Sequence, residues 1–359
     1  MGNLGLIDRG FWNNKRVFLT GHTGFKGSWL SIWLHNMGAS VTGYSLIAPT
    51  VPSLFEVCNV GGLITKSIIG DIMDTERLKS SMHEADPEIV IHMAAQPLVR
   101  LSYQNPVLTY STNVMGTVNL FEAVRICDSV HAVLNVTTDK CYINQEWELG
   151  YRENDPLGGY DPYSSSKACS EIITSAYRNS FFEANSIAVG TARAGNVIGW
   201  GDWAQDRLIP DLIRSFSSGT EVLIRQPDAV RPWQHVLEPL SGYLTLAQKL
   251  YENGGEYADA WNFGPIDSEA KSVLWIVEEM TKRWPYKQPE YKICSMQDQL
   301  HEAKTLILDC SKARNRLGWS PRWSLSKALD YTIQGVTAFL ENEDLRELCE
   351  RQIMEYEHS

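Results

Sequence analysis

Three glycines at intervals of three residues follow a short apolar segment near the start of the chain. Gly21, Gly24 and Gly27 lie between a strand-like run at 15–20 and a helical pattern that begins near Ser28. A strand, a glycine turn and a helix in this order bring backbone N–H groups to a helix N-terminus, where they can bind a pyrophosphate. We expect Gly21 to form the turn, Gly24 to permit close approach and Gly27 to let helix and strand pack. The segment predicts a dinucleotide site made of Gly21, His22, Thr23, Gly24, Phe25, Lys26 and Gly27.

Strand-like and helical segments alternate through the first half of the chain. The predicted strands after the glycine turn are 40–45, 66–69, 88–93 and 131–136, and the predicted helices are 28–37, 75–84 and 106–125. Repeated alternation of this kind predicts an α/β fold with a doubly wound parallel sheet of the Rossmann type. Ligands of such sheets bind beyond the carboxyl ends of the strands, where the glycine turn, Asp71, 94–96 and 137–140 lie.

The second half of the chain is less regular. A loop at 199–206, a helix at 208–218, a short strand at 221–225 and a closing helix at 324–341 predict a smaller, mixed α/β substrate domain. No long linker separates the halves, so we expect the two domains to interleave. The predicted division assigns 1–190 plus 229–264 to the dinucleotide-binding domain and 191–228 plus 265–359 to the substrate domain.

Charge, apolar patterning and cysteine usage narrow the class of protein. A formal net charge of −11 argues against a nucleic-acid-binding surface. No apolar run reaches the roughly 20 residues that span a bilayer, and the first residues show no signal-peptide pattern. The seven cysteines are scattered, without the spacing of metal ligands. We therefore expect a cytoplasmic protein with reduced thiols, no metal, and no membrane or nucleic-acid partner.

Tyr163 and Lys167 form the second motif that carries chemistry. If the segment is helical, residues four apart lie on one face, so the phenol and the ammonium point the same way. A neighbouring ammonium lowers the pKa of a phenol, which lets Tyr163 act as a base near neutral pH. The same spacing arises by chance on many solvated helices. Its place after a dinucleotide turn, about 25 residues beyond a strand that ends in two threonines, favours the catalytic interpretation.

Together these motifs resemble those of the extended short-chain dehydrogenase/reductases, in the branch that modifies nucleotide sugars. The resemblance runs from Arg16 to about Glu341 and rests on Gly21, Gly24, Gly27, Gly70, Asp71, Ala94, Ala95, Asn113, Val114, Gly116, Thr117, Thr138, Tyr163, Lys167, Asn196, Val197 and Gly199. Within that branch, the segments 21–30, 94–100 and 137–142 are similar to those of the nucleotide-sugar 4,6-dehydratases. The resemblance implies CDP-glucose as substrate, NAD as cofactor and a step in deoxysugar synthesis of the O-antigen type.

The resemblance also implies a role for each catalytic residue. Tyr163 would take the proton of the sugar 4-hydroxyl while a hydride passes from C4 to NAD, and Lys167 would hold the nicotinamide ribose and keep the phenol acidic. Thr138 would hydrogen-bond the 4-hydroxyl. The resulting 4-ketone makes the C5 proton acidic, so water can be lost across C5 and C6 with Asp139 protonating the departing 6-hydroxyl. Return of the hydride to C6 then completes a dehydration without net oxidation.

Lys140 departs from the pattern of the dTDP-glucose relatives, which carry an acidic residue at this place. That acid is the natural base for the C5 proton, and an ammonium cannot replace it. Burial beside Lys167 and an oxidised nicotinamide would lower the pKa of Lys140 and make a neutral amine available. Alternatively, Lys140 pairs with Asp139, and water or another group is the base. Asp139 has its own alternative as the cap of a turn after two threonines.

The remaining site residues follow from the resemblance. It implies cofactor contacts from Asp71, Ile72, Ala94, Ala95, Gln96 and Asn113, and substrate contacts from Asn196, Arg207, Leu208, Arg231 and Trp233. Arg231 suits a forked contact with the diphosphate; alternatively, it forms a salt bridge at the surface. Asp71 could instead be a loop residue without a role in binding. The segment 43–47 has neither the acid typical of NAD sites nor an arginine for a 2′-phosphate, so NAD rests on the resemblance.

The sequence also allows two other functions. A 4-epimerase of the same fold needs no acid for a 6-hydroxyl and often has a small residue in place of Asp139. A non-catalytic dinucleotide sensor would keep the glycines but has no need for Thr138, Tyr163 and Lys167 together. Relatives associate through helices, so we expect a homodimer or homotetramer.

Overall fold

A parallel sheet with helices on both faces organises the chain, which the computed structural model describes over residues 7–147, 149–224, 226–266, 269–293 and 305–359. The strands are β1 Arg16–Thr20, β2 Ser40–Ser45, β3 Lys66–Ile69, β4 Ile89–His92, β5 Ala132–Val136, β6 Ala188–Ala194, β7 Val197–Ile198, β8 Val222–Ile224, β9 Val230–Arg231, β10 Gln234–His235, β11 Ala260–Phe263, β12 Lys271–Ser272 and β13 Tyr291–Ile293. The α-helices are α1 Arg9–Trp12, α2 Phe25–Asn36, α3 Leu54–Val57, α4 Val60–Leu63, α5 Thr75–Ala85, α6 Val99–Gln104, α7 Pro106–Tyr110, α8 Gly116–Val124, α9 Pro162–Tyr177, α10 Leu208–Ser218, α11 Leu237–Asn253, α12 Val273–Arg283, α13 Leu325–Leu340 and α14 Leu345–Glu357.

Seven parallel strands form the central sheet in the order β11–β6–β5–β4–β1–β2–β3. In the middle of the sheet, Val17 of β1 lies opposite Val41 of β2 and Ile89 of β4. The chain runs outward from β1 in one direction and from β4 in the other, so a crevice opens at the carboxyl ends of these two strands. The predicted doubly wound parallel sheet is therefore confirmed.

Successive residues of each central strand face opposite sides of the sheet, and this divides the core in two. Val17 and Leu19 pack on the face that also buries Trp29 of α2 and Leu240 of α11. Phe18 packs on the other face, with buried residues of α5 and α8. Because helices cover both faces, these strands are apolar at nearly every position instead of alternating between apolar and polar residues.

A third core lies beside the sheet, among α10, α12 and α13. Leu212, Ile276 and Leu329, one from each of these helices, are fully buried there. The predicted helices 208–218 and 324–341 correspond to α10 and α13, and the predicted strand 221–225 corresponds to β8, with Arg225 outside the described residues. This core belongs to the part of the chain predicted to bind the substrate.

Two details correct the predicted division into domains. β6 pairs with both β5 and β11 in the central sheet, so a boundary at 190 would cut a strand in the middle. α14, predicted in the substrate domain, packs against α2 of the dinucleotide-binding half. The sequence pattern did not reveal β6 or β11, because β6 consists largely of small residues and carries an arginine.

Helix boundaries differ from the prediction in two places. α2 begins at Phe25, directly after its N-cap Gly24, and not near Ser28. The predicted helix 106–125 is present as α7, a π-helical turn at Ser111–Met115, and α8. Within the described ranges, no helix is both long and apolar enough to cross a bilayer, and no cluster of three potential ligand side chains is arranged to hold a metal ion.

Candidate active site

The glycine turn forms a cradle at the N-terminus of α2. Gly21 has a φ of 78°, and a Cβ there would lie 2.8 Å from the backbone N of Ala94. A Cβ on Gly27 would lie 2.1 Å from the carbonyl O of Gly21. Only glycine fits these two places, and the N–H groups of the first turn of α2 have no partner within the helix. The cradle therefore fits the pyrophosphate of a dinucleotide.

Two side chains of the turn brace the neighbouring strands. His22 is buried against Gly43, with its Nε2 2.7 Å from Ser67 Oγ, and burial lowers the pKa of His22 to about 4. Thr23 donates to the carbonyl O of Leu46 at 2.9 Å. Both side chains therefore stabilise the scaffold around the turn, while the backbone of the turn remains the part suited to a ligand.

Asp71 and Ile72 follow β3 at the same edge of the sheet. Asp71 is exposed, and its carboxylate accepts a hydrogen bond from the N–H of Met73 at 2.9 Å. Ile72 is buried next to Gly116. The Asp71 carboxylate thus organises its own turn, and its contact with adenine stays a prediction.

Asn113 locks the loop after β4 to helix α9. Its Oδ1 accepts from the N–H of Gln96 at 2.8 Å, and its Nδ2 donates to Gln96 O at 3.0 Å and Ser166 Oγ at 2.9 Å. These bonds use both ends of the Asn113 amide. The predicted cofactor contacts Ala94, Ala95 and Gln96 therefore lie on a braced loop, and Asn113 acts on the site by holding that loop.

The predicted catalytic residues at the end of β5 and on α9 meet in one buried cluster. The side chain of Thr138 acts on both Tyr163 and Asp139. It opposes the rise in the pKa of the Tyr163 phenol, and its Oγ1 donates to Asp139 Oδ1 at 3.0 Å. Lys167, one turn after Tyr163, donates to the carbonyl O of Val136 at 3.1 Å.

Burial sets the protonation of the Tyr163–Lys167 pair. It raises the pKa of Tyr163 to about 12, whereas the sequence predicts a lowered value. The prediction is wrong in direction, because loss of water around the phenol outweighs the charge of Arg207 and because Lys167 is directed at Val136. Burial also lowers the pKa of Lys167, to about 8.

Asp139 is buried with one carboxyl oxygen unsatisfied. Its Oδ2 has no hydrogen-bond partner in the described part of the chain, and a Cβ on Gly195 would come within 3.2 Å of this atom. Burial raises the pKa of Asp139 against the opposing charges of Lys140 and Arg231. A carboxyl in this state is suited to hold a proton and to pass it to an atom beside Oδ2. Lys140 is half-buried, and its backbone N–H lies 3.3 Å from Thr138 Oγ1.

Two arginines reach this cluster from the second half of the chain. Arg207 is ion-paired with Asp202 at 2.8 Å, and its charge acts on the phenol of Tyr163. Arg231 is buried, and its charge acts on Asp139. The sequence allowed the alternative that Arg231 forms a salt bridge at the surface. Arg231 is buried, so it does not occupy a surface position.

The other predicted substrate contacts lie beside these arginines. Trp233 is buried and donates from its indole N–H to the carbonyl O of Lys271 at 2.9 Å. Asn196 is half-buried, and its carbonyl O accepts from the N–H of Gln234 at 3.0 Å. Leu208 is half-buried at the start of α10. Their contact with a substrate stays a prediction.

A buried ion pair beneath the cluster was missed by the sequence reasoning. Glu171 of α9 and Arg193 of β6 lie 2.8 Å apart, both buried. Thr137, next to Thr138, donates to the Glu171 carboxylate. Glu171 is one helical turn beyond Lys167, so the spacing that revealed Tyr163 and Lys167 could also have revealed Glu171.

Lys26 and Tyr243 form a second feature that the sequence did not indicate. The Lys26 ammonium lies 5.6 Å from the centre of the Tyr243 ring. The sequence predicts Lys26 only as part of the glycine turn, and no motif marks Tyr243 on α11.

A Rossmann-type parallel sheet, a three-glycine turn and a Tyr–Lys pair on one helix define an extended short-chain dehydrogenase/reductase. Residues 18–332 match the family model described as GDP-mannose 4,6 dehydratase, and the chain belongs to this family. The CDP-glucose 4,6-dehydratase of Salmonella typhimurium (strain LT2) is 54% identical, over 98% of this chain and 98% of the relative.

Solved structures share the fold at lower identity. The UDP-glucose 4-epimerase of Thermotoga maritima, solved with UDP-glucose, has a TM-score of 0.75 and 22% identity and covers 91% of this chain and 99% of its own. MoeE5, solved with UDP-glucuronic acid and NAD, has a TM-score of 0.75 and 25% identity and covers 90% of this chain and 99% of its own.

Proposed function

We propose that this chain is a CDP-glucose 4,6-dehydratase that uses NAD. The observation that carries the proposal is the 54% identity, over nearly the full length of both chains, to a CDP-glucose 4,6-dehydratase. The buried carboxyl of Asp139 supports it, because elimination of the 6-hydroxyl needs an acid that a 4-epimerase does not. We further propose a cytoplasmic, homo-oligomeric enzyme of deoxysugar synthesis.

The first step takes the proton from the sugar 4-hydroxyl. Tyr163 receives this proton, and Thr138, beside Tyr163 in the cluster, orients the 4-hydroxyl. Because burial raises the pKa of Tyr163 to about 12, the phenolate needs positive charge nearby, which Lys167 and Arg207 supply. The glycine turn and the braced loop at Ala94 would hold NAD, which when bound would supply the hydride acceptor for C4 and the hydride donor for C6.

The second step removes the C5 proton and the 6-hydroxyl. Burial raises the pKa of Asp139 and so favours its protonated form, and its unsatisfied Oδ2 delivers a proton to the departing hydroxyl. Lys140, half-buried and adjacent to Asp139, accepts the C5 proton. Elimination is favourable only after C4 is a ketone, since the ketone stabilises the charge that develops when C5 loses its proton.

The diphosphate and the nucleoside bind on the side of α10. Arg231 and Arg207 supply positive charge at the edge of the catalytic cluster, and an arginine fork matches two phosphate oxygens. Asn196, Leu208 and Trp233 line the same side and contact the remainder of the nucleotide.

Mass spectrometry of CDP-glucose incubated with the purified protein, with and without added NAD, tests the proposal. We expect loss of one water from the sugar nucleotide without accumulation of NADH, and weaker turnover of dTDP-glucose and UDP-glucose. Tyr163→Phe should lose roughly 10²- to 10⁴-fold in rate. The matched control is Tyr177→Phe, on the same helix but bonded to Glu122 away from the cluster, and it should keep the rate.

Two results would replace the proposal. A new sugar epimer of unchanged mass would identify a 4-epimerase. Tight dinucleotide binding without reaction of any of the three nucleotide sugars would identify a sensor.

A further inference from the structure

The catalytic centre contains a lysine that the proposed mechanism does not use. Lys26 is the second residue of α2, in the turn that fits the pyrophosphate. Its ammonium lies over the ring of Tyr243, 5.6 Å from the ring centre. Tyr243 is fully buried, and its hydroxyl has no hydrogen-bond partner among the described residues. The side chain of Lys26 therefore extends from the cofactor turn into the interior, where a face of α11 receives it.

Charged groups from three further elements act on the Lys26 ammonium. Lys167 of α9 and Arg207, which precedes α10, repel it, and Asp139 after β5 attracts it. Burial is the largest effect, and together with the two repulsions it lowers the pKa of Lys26 to about 7. Asp139 is the one carboxyl in this set, and Arg207 is already paired with Asp202 at 2.8 Å. Two ammonium groups, those of Lys26 and Lys167, are therefore grouped with a single carboxyl.

An excess of positive charge discriminates between the two forms of a nicotinamide. The oxidised ring carries a positive charge and the reduced ring does not, so nearby cations disfavour the oxidised form. A dinucleotide held at the glycine turn must reach the Tyr163 cluster with its nicotinamide to exchange a hydride with the sugar there. Lys26 lies on this route, because it belongs to the turn and its charge interacts with Lys167 and Asp139.

We propose that Lys26 shifts the bound dinucleotide toward its reduced form. The inference rests on the proposed function and adds a role that phosphate binding by the turn does not require. In the first step the C4–H bond breaks, and its hydrogen would pass with the electron pair, as a hydride, to the nicotinamide. The sugar is thereby oxidised, and the 4-hydroxyl proton goes to Tyr163. Lys26 stabilises the state that follows, so the hydride is retained while water leaves. The Tyr243 ring holds the ammonium by a cation–π contact and does not neutralise it, as a carboxylate would.

Binding constants for NADH and NAD, measured by calorimetry on the full chain freed of bound nucleotide, test this role. We expect Lys26→Met to reduce the preference for NADH over NAD by roughly tenfold, an effect that one nearby charge can produce at the screening typical of proteins. Lys26→Arg should keep the wild-type preference. Lys26→Gln provides a second uncharged variant and should match Lys26→Met. Tyr243→Phe, which keeps the ring, should leave the preference unchanged.

The ratio of the two binding constants separates this inference from the proposed function, because its measurement needs no sugar. Equal weakening of both dinucleotides in Lys26→Met would reduce Lys26 to a phosphate contact and overturn the inference. The inference would also be overturned if Lys26→Met left the ratio of the NADH and NAD binding constants unchanged while the wild-type protein dehydrates CDP-glucose. A wild-type protein that binds neither dinucleotide would overturn both the inference and the proposed function.

Discussion

Asp139 and Tyr163 both lose water on folding, and the pKa of each rises as a result. For Asp139 the rise suits an acid, because it favours the protonated carboxyl that elimination of the 6-hydroxyl requires. For Tyr163 the rise means that few molecules hold the phenolate at neutral pH. Lys167 and Arg207 therefore matter to catalysis through their charge, beyond the helical spacing that places Lys167 beside the phenol.

Lys140→Met should separate the two halves of the reaction. Methionine cannot accept the C5 proton, so C4 oxidation proceeds while elimination stops, and the rate of product formation falls by roughly 10²- to 10⁴-fold. Bound NADH should then accumulate, which stopped-flow absorbance can follow. Lys282→Met, at an exposed lysine of α12, is the control. Product formation at a near-normal rate would assign the C5 proton to water or another group.

Helix α9 carries Tyr163 and Lys167, and a buried ion pair anchors it to the sheet. Glu171, on the same helical face, pairs with Arg193 of β6 at 2.8 Å and accepts from Thr191 Oγ1 at 2.7 Å. The Glu171 carboxylate is thereby kept ionised, because Arg193 and the hydroxyls of Thr137 and Thr191 lower its pKa against the effect of burial. An element that must hold a phenol in place is thus fixed by charge as well as by apolar packing.

Arg193→Met should destabilise the protein strongly. It leaves the Glu171 carboxylate buried without a counter-charge, and removal of one partner of a buried pair costs about 3–5 kcal/mol. The free energy of unfolding in urea measures this loss. Arg125→Met removes an exposed partner of Glu122 on α8 and should cost about 1 kcal/mol or less. Equal losses in the two variants would contradict the anchoring role.

At the scale of the whole molecule, a buried carboxyl group links the C-terminal helix α14 to helix α11. Glu238 of α11 accepts hydrogen bonds from Tyr356 of α14 at 2.6 Å and from the N–H of Trp323 at 2.7 Å. Burial raises the pKa of Glu238 from its ordinary value of 4.5 to about 7. The contact between α11 and α14 therefore contains a carboxyl group whose protonation changes between pH 4.5 and 7.

The contribution of Glu238 to stability should fall as pH rises from about 4.5 to about 7. In this interval the folded protein keeps the proton of Glu238 and the unfolded chain has lost it, so this ionisation favours unfolding. Buried His22, His92 and His235, whose pKa values are lowered, act in the opposite direction, so the effect of Glu238 is the difference between the profiles of wild type and Glu238→Gln, which cannot ionise. Urea midpoints measured across the interval test the effect, and parallel profiles of the two proteins would contradict it.

Exposed apolar side chains on α7 to α9 predict self-association. Val107 is 74% exposed, Ile172 57% and Met115 47%, all on helices that cover one face of the sheet. Ile172→Glu should weaken the self-association proposed here and lower the mass in solution, because a carboxylate loses its water at an apolar contact. Light scattering after gel filtration measures the mass. Leu223→Glu, at a side chain of β8 that is 56% exposed, is the control and should leave the mass unchanged.

Features that depend on local chain chemistry could be predicted. Gly21 and Gly27 reveal the turn because no other residue fits it, and the spacing of Tyr163 and Lys167 reveals a shared helical face. β6 could not be recognised, since its small residues become a strand only through pairing on both edges. Arg193 within β6 is tolerated because Glu171, from a distant segment, neutralises it.

The sequence by itself determined the dinucleotide turn, the alternation of strands and helices, and the Tyr–Lys motif, because each arises from residues a few positions apart. Only the tertiary structure decided the direction of the pKa shift of Tyr163 and the meeting of Lys26 with Tyr243. Both depend on burial and on charges from distant segments. Solvent exclusion and long-range electrostatics come into being only when the chain is folded, and local patterns do not contain them.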